Sequence, residues 1–222
     1  MALRPHILIA DDHPLFRIAL KQAIQMAFDE AHIDEAGSID EVQSRMAVGE
    51  PYDLLLLDLQ MPGARGFSGL IYLRGQYPEV PVVVVSGNDQ DKVITKAMSH
   101  GASGFIPKST DLSDMAVAIK HIFDGSLWVP PAYAARCSAG NPPLQEEEIS
   151  IAETVASLTP QQFRVFTYLA EGMLNKQIAY EMGVAEGTIK AHVTGILKKF
   201  GAYSRGHLII AAQKLEAEDV AL

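Results

Sequence analysis

The chain has 222 residues, 48% of them hydrophobic, and a formal net charge of −9, which is enough length for two domains with real cores. No apolar run approaches a membrane span and the N-terminus lacks a signal-peptide hydrophobic region, so a soluble cytoplasmic protein with no membrane partner is expected. A single cysteine, Cys137, excludes an internal disulfide.

The charge is uneven. Residues 1–124 carry 10 basic against 17 acidic side chains and residues 125–157 one against four. Residues 158–222 carry seven against six, with Glu216, Glu218 and Asp219 crowded into the tail. An acidic total therefore does not exclude a nucleic-acid partner for the last segment.

Taken in chain order, the apolar strand 6–10 runs straight into Asp11 and Asp12. A helix over 14–26, a strand over 33–36 and a helix opened by the capping-box pair Ser38 and Glu41 follow. Four leucines at 54–57 form the next strand and end in Asp58. A helix near 67–76 leads to four valines at 82–85, which end in Ser86. A helix near 89–99, a strand at 104–106 with Lys108 just beyond it, and a helix over 112–123 complete the series.

Strand and helix alternating five times predict a five-stranded, doubly wound parallel sheet with helices on both faces. The all-apolar strands agree, since such strands are buried on both sides. Open α/β sheets build their sites at the carboxyl ends of the strands, so Asp11, Asp12 and Asp58 should converge there. At about 4 Å and an effective dielectric near 20, each like-charged pair repels by about 4 kcal/mol. Such a cluster needs a proton, a cation or a chemical use, and its oxygen-only donors favour Mg²⁺ over zinc. His13 beside it reads as a surface or cap residue, and Asp89 and Asp111 as turn or cap residues.

From 124 to 157 the periodicity fails in a proline-containing stretch that reads as a linker. Ile149, Ala152 and Ala156 keep helical spacing there and allow a short connecting helix. Cys137 lies in this stretch, with no basic cluster to lower its pKa and mark it as reactive.

From Leu158 a small all-α unit of four helices begins. Thr159 caps the first through a capping box with Gln162, Gly172 ends it, Asn175 caps the second and Gly183 ends that. A longer helix over 186–200 stops at Gly201, and Ser204 caps a last helix running to about 214. Two helices joined by a tight turn, the second amphipathic and basic, make a helix-turn-helix. The expected division is thus 1–124, 125–157 and 158–222. Lys176, Lys190, Lys198 and Lys199 supply charge that neutralises phosphates. Ile178, Ala179, Met182, Val193, Ile196 and Leu197 read as core, and His192 and His207 as structural or backbone-contacting residues.

Asp11-Asp12, Asp58 followed by Met61-Pro62-Gly63, Ser86-Gly87, and Gly101-Ala102-x-Gly104-Phe105-x-x-Lys108 resemble the receiver domain of two-component response regulators over about residues 4–124. Leu158-Thr159-Pro160, Gly172-x-x-Asn175-Lys176-Gln177-Ile178-Ala179, Gly187-Thr188-Ile189-Lys190-x-His192 and Lys198-Lys199-Phe200-Gly201 through Ser204-Arg205 resemble the LuxR-type helix-turn-helix over about 154–215. Together they resemble the NarL/FixJ type of response regulator.

The resemblance implies a flavodoxin-like receiver in which Asp58 takes a phosphoryl group from a sensor histidine kinase or a small phosphodonor. Asp12, Asp58 and the Gln60 backbone carbonyl would ligate Mg²⁺, with Asp11 helping through water. Lys108 would pair with the phosphoryl oxygens, Ser86 would donate to them, and Phe105 would turn inward as Ser86 moves. The 186–200 helix would enter the major groove of double-stranded DNA. Lys190, Ala191 and Thr194 would face base edges or nearby backbone, with Thr188 among the contacts.

The implied protein is a transcription factor rather than an enzyme. Phosphorylation would release the helix-turn-helix from the receiver, favour a homodimer on two half-sites and bring RNA polymerase into reach as a partner. Two positions depart from the family pattern: Ser109 replaces the usual proline, and Phe105 lacks the hydroxyl of the commoner tyrosine. A haloacid-dehalogenase-type phosphatase needs a second aspartate where Gln60 stands. The remaining rival is an adaptor that receives phosphate and acts through protein contacts alone.

Overall fold

Residues 4–136 and 145–216 are described by the computed structural model; Cys137, Glu218 and Asp219 lie outside them. The first half runs β1 (His6–Ala10), α1 (Pro14–Ala27), β2 (His32–Ala36), α2 (Ile39–Met46), β3 (Leu54–Asp58), α3 (Ser68–Gln76), β4 (Val82–Ser86), α4 (Asp91–Ser99), β5 (Gly104–Pro107) and α5 (Leu112–Phe123). The strands form one parallel sheet in the order β2-β1-β3-β4-β5. Every residue of β3, β4 and β5 is buried, as apolar strands covered on both faces must be.

Two apolar layers flank the sheet. One packs α1 and α5 through Leu20, Ile24, Met115 and Ile119. The other, beneath α2, α3 and α4, continues without a break into the helical half of the chain.

That half comprises α6 (Pro131–Arg136), α7 (Glu146–Ala156), α8 (Pro160–Ala170), α9 (Asn175–Glu181), α10 (Glu186–Lys199) and α11 (Arg205–Lys214). Helices α8 to α11 match the four expected, and α7 is the connecting helix that Ile149, Ala152 and Ala156 suggested. Thr159 makes the full capping box with Gln162. Gly172, Gly183 and Gly201 end α8, α9 and α10 with φ of +84°, +64° and +57°, a left-handed region in which an L side chain is strained.

Three local expectations are corrected. Asn175 is the first residue of α9 rather than its cap; the cap position is Leu174, whose N–H donates to Gln177 Oε1 at 2.7 Å. Ser38 accepts from Glu41 N–H at 3.3 Å, but Glu41 reaches back past it to Gly37 N–H at 2.8 Å, so the box closes one residue early. Ser204 holds the cap position of α11 without a side-chain bond.

The stretch after α5 is also more ordered than its lost periodicity suggests. It turns back along the outer edge of β5, where Phe105 N–H donates to the Trp128 carbonyl at 3.0 Å and Trp128 N–H to Ser103 at 3.3 Å. This covers an otherwise open sheet edge. Gly104 makes the approach possible: a Cβ there would stand 2.4 Å from Ile122 Cδ1 and 3.0 Å from the Trp128 carbonyl. Gly104→Ala is therefore expected to destabilise the protein by about 1–3 kcal/mol, read as a lower urea midpoint.

The two halves dock through α3. Tyr72 stacks on Phe163 of α8 with ring centroids 4.1 Å apart and planes 18° apart. Gln76 Nε2 donates to the Ala156 carbonyl at the end of α7 at 2.9 Å. Phe67 N–H donates to Leu215 at 2.8 Å, and Thr167 Oγ1 to the Gly63 carbonyl at 3.3 Å. Arg164 pairs with Asp40 of α2 at 2.9 Å.

Candidate functional site

The sheet order reverses between β1 and β3, and neighbouring carboxyl ends diverge there to leave a crevice. The register sets Ala10 against Leu57 and Asp58 against Val85, so Asp11 and Asp58 leave adjacent strands side by side. Ser86 is paired with Pro107, and Lys108 N–H donates to the Ser86 carbonyl at 2.8 Å, which carries Lys108 over the same end.

Lys108 Nζ lies 2.7 Å from Asp11 Oδ2 and 2.8 Å from Asp58 Oδ2. Both acids are buried, Asp11 wholly. Burial pushes the Asp58 carboxyl above its ordinary pKa, and the Lys108 bond only partly offsets this. Burial also opposes the Lys108 ammonium, but bonds to both acids outweigh it and raise its pKa. Gln60 N–H donates to Asp58 Oδ1 at 3.2 Å. Asp11 is held by His13 N–H on its Oδ1 at 2.8 Å and by Arg17 on its carbonyl at 2.7 Å.

Sequence reasoning undervalued His13. Its Nδ1 stands 2.7 Å from Asp12, 3.2 Å from Asp11 and 4.0 Å from Asp58, so it belongs to the acidic cluster. A ring nitrogen amid three carboxylates occupies the place a cation would take, and with 64% of its side chain exposed the ring can swing aside. The oxygen donors and the excess of negative charge over Lys108 fit Mg²⁺.

A cavity of about 440 Å³ opens beside the cluster, lined among others by Asp12, Gln60, Ser86, Asn88, Arg65 and Glu216. Arg65 pairs with Glu216, just past α11, at 3.2 Å. The distal half of the chain thus supplies a carboxylate to the rim of the pocket, which no local sequence signal announces. Ser86 Oγ accepts from Asn88 N–H at 3.2 Å. Phe105 is wholly buried.

In the helical half, α9 and α10 form the helix-turn-helix. Lys176, Thr188, Lys190, Ala191, Thr194 and Lys198 are all exposed, so docking on the receiver leaves the outer face of α10 open. Lys190 is steadied by Glu186 at 2.9 Å, and the Thr194 hydroxyl turns back to the Lys190 carbonyl at 2.9 Å. Lys199 is exposed as well, and its ammonium donates to the Ser157 carbonyl at 2.6 Å, which ties α10 to the end of α7. Arg205 donates to the Met173 carbonyl and fixes the start of α11.

Comparisons with known proteins agree with both halves. Residues 7–120 match the response regulator receiver domain, and residues 156–212 match the luxR family of bacterial regulatory proteins. The glycerol metabolism activator of Pseudomonas putida is 39% identical across 95% of this chain and 96% of its own length. The nitrate/nitrite response regulator NarL of Escherichia coli is 32% identical across 90% of each. Salmonella RcsB bound to a promoter shares the fold, with a TM-score of 0.55 at 19% identity over 94% of this chain and 98% of that one. These matches, over an acidic pocket at a sheet's switch point followed by an exposed basic helix-turn-helix, place the chain in the NarL type of response regulators, DNA-binding regulators of transcription.

Proposed function

We propose that Asp58 accepts a phosphoryl group from a sensor histidine kinase and that this modification governs how the α10 pair of a homodimer meets DNA. The observation that carries the reading is Lys108 Nζ set between two buried carboxylates at adjacent strand ends. Such a point charge suits phosphoryl oxygens. Asp58 oxygen attacks phosphorus, the bond from phosphorus to the donor's nitrogen breaks, and an acyl phosphate results. Lys108 then pairs with the phosphoryl oxygens and Ser86 donates to them. Asp11, Asp12, Asp58 and the Gln60 backbone would hold Mg²⁺, which when bound offsets the negative charge of the incoming group.

The docked arrangement supports a route from pocket to output. Phosphorylation adds about −1.5 to −2 charges. At Asp58 that charge competes with Glu216 for Arg65 and repels Glu216 across the shared cavity, loosening the anchor of α11 on the receiver. Release frees the helical unit to pair with a second copy on two half-sites, with Lys176, Lys190 and Lys198 neutralising backbone phosphates. No helix among the described residues is long and apolar enough to cross a membrane, in keeping with a cytoplasmic site of action beside DNA and RNA polymerase.

The test is incubation with Mg²⁺ and a small phosphodonor, followed by intact mass and by binding to duplexes carrying one or two half-sites. One phosphoryl group should be gained, and paired-site binding should tighten. Both effects should vanish in Asp58→Asn. A phosphoryl group retained by that variant would move the acceptor elsewhere.

A further inference from the structure

At the end of the sheet opposite the acidic pocket, β1 and β2 open with histidines facing each other in register, His6 against His32. Their rings stack with centroids 4.4 Å apart and planes 24° apart. Asp34, two residues along β2 and so on the same face of the sheet, brings its Oδ2 to 3.0 Å from His6 Nε2. One nitrogen from each ring and a carboxylate oxygen of Asp34 lie mutually within 4.8 Å. We propose that His6, His32 and Asp34 form a binding site for a divalent transition-metal ion of the zinc class, separate from the acidic pocket at Asp58.

Donor chemistry separates the two sites. This one offers two imidazoles and one carboxylate, the pocket at Asp58 three carboxylates and the single ring of His13; imidazole nitrogen favours zinc, nickel or copper, and carboxylate oxygen suits magnesium. Zinc ligands sit about 2.0–2.1 Å from the ion, so neighbouring ligand atoms of a tetrahedron lie about 3.3 Å apart. The His6 to Asp34 approach is already close to such an edge. His32 is exposed, and a turn of its ring brings a nitrogen to the third corner, leaving the fourth to water on the solvent side.

The supporting residues hold the site in shape without an ion. The His6 ring is sandwiched between His32 and Tyr52, with the Tyr52 centroid at 4.1 Å. The Tyr52 hydroxyl donates to Asp34 Oδ2 at 2.7 Å, the outer-layer bond that orients a ligating carboxylate. Arg45 takes the other carboxylate oxygen at 3.4 Å, and with 43% of its side chain exposed it can lean toward solvent when a cation enters. His6 Nδ1 is buried with no hydrogen-bond partner among the described residues. Moving the ring proton there, which frees the Nε2 lone pair for a metal, breaks no second bond. An ion at this position would fasten the edge strand β2 to β1.

The full-length protein, stripped with a chelator, would be titrated with Zn²⁺ by calorimetry in excess Mg²⁺, which occupies the acidic pocket. One Zn²⁺ per chain is expected. With free Zn²⁺ at a hundredfold excess over Kd, the Tm of the protein's single transition should rise by about 5–10 °C. Co²⁺ in its place should show the visible absorption of a tetrahedral nitrogen and oxygen site. His32→Asn alters an exposed side chain and should weaken binding at least tenfold while leaving the metal-free Tm unchanged; Asp58→Asn should leave Zn²⁺ affinity unchanged. Absence of Zn²⁺ binding, or equal affinity in wild type and His32→Asn, would overturn the proposal and leave these residues as a polar seam between strands.

Discussion

Tyr72→Ala is expected to cost about 3–5 kcal/mol and to uncouple the two halves of the chain. The Tyr72 side chain is only 1% exposed, and the ring covering it across the interface, Phe163, is fully buried. Truncation removes that apolar contact and leaves a cavity that α8 cannot close while Thr167 holds Gly63 and Leu215 holds Phe67. With one apolar layer running through both halves, the wild type should melt in a single calorimetric transition, and the variant in two. On DNA the variant should bind paired half-sites without phosphodonor as tightly as the wild type does with it. A single transition at the wild-type temperature would show that the stacked rings do not carry the docking.

Lys108→Met should be comparably costly for an electrostatic reason. Removing one partner of a buried charge pair leaves the other uncompensated, at about 3–5 kcal/mol, and here two buried acids are left. The sign of the pH dependence follows from the shifts. Asp58 has a folded pKa above its unfolded one, so its contribution to stability is present in acid and is lost as pH rises through the raised value. Taking Lys108 away removes an influence that lowers this pKa, so it climbs further and the penalty near neutrality grows. Lys108 itself contributes fully below the ordinary lysine pKa and loses that contribution only as pH rises through its own raised value. The variant's urea midpoint should therefore fall well below wild type at pH 7.5. The gap should narrow toward pH 5, and Mg²⁺ should restore part of the loss. A deficit equal at both pH values would point instead to the lost cation–π contact with Phe16, whose ring centre lies 4.8 Å from Nζ.

Strand ends were legible because acid, hydroxyl and ammonium each follow an unbroken apolar run, and a parallel sheet leaves such residues nowhere to go but its carboxyl edge. Helix ends in the second half were legible wherever glycine must take positive φ, as at Gly172, Gly183 and Gly201. What stayed hidden depends on chain segments distant in sequence. Nothing around Glu216 announces that it meets Arg65, 151 residues away, at the mouth of the pocket. Nothing around Lys199 shows that its ammonium reaches the Ser157 carbonyl, 42 residues away. His13 was underrated for a related reason: one histidine at a helix start is ordinary until three carboxylates are seen around it.

The open face of α10 decides what kind of response a promoter would register. Since the reading surface is uncovered while the halves are docked, an isolated half-site should be occupied to a similar extent in both states. The signal would enter as cooperativity between two copies, through the steepness of occupancy against protein concentration and its dependence on half-site spacing. Moving two half-sites apart by half a helical turn should then abolish the response to phosphorylation while leaving single-site occupancy intact.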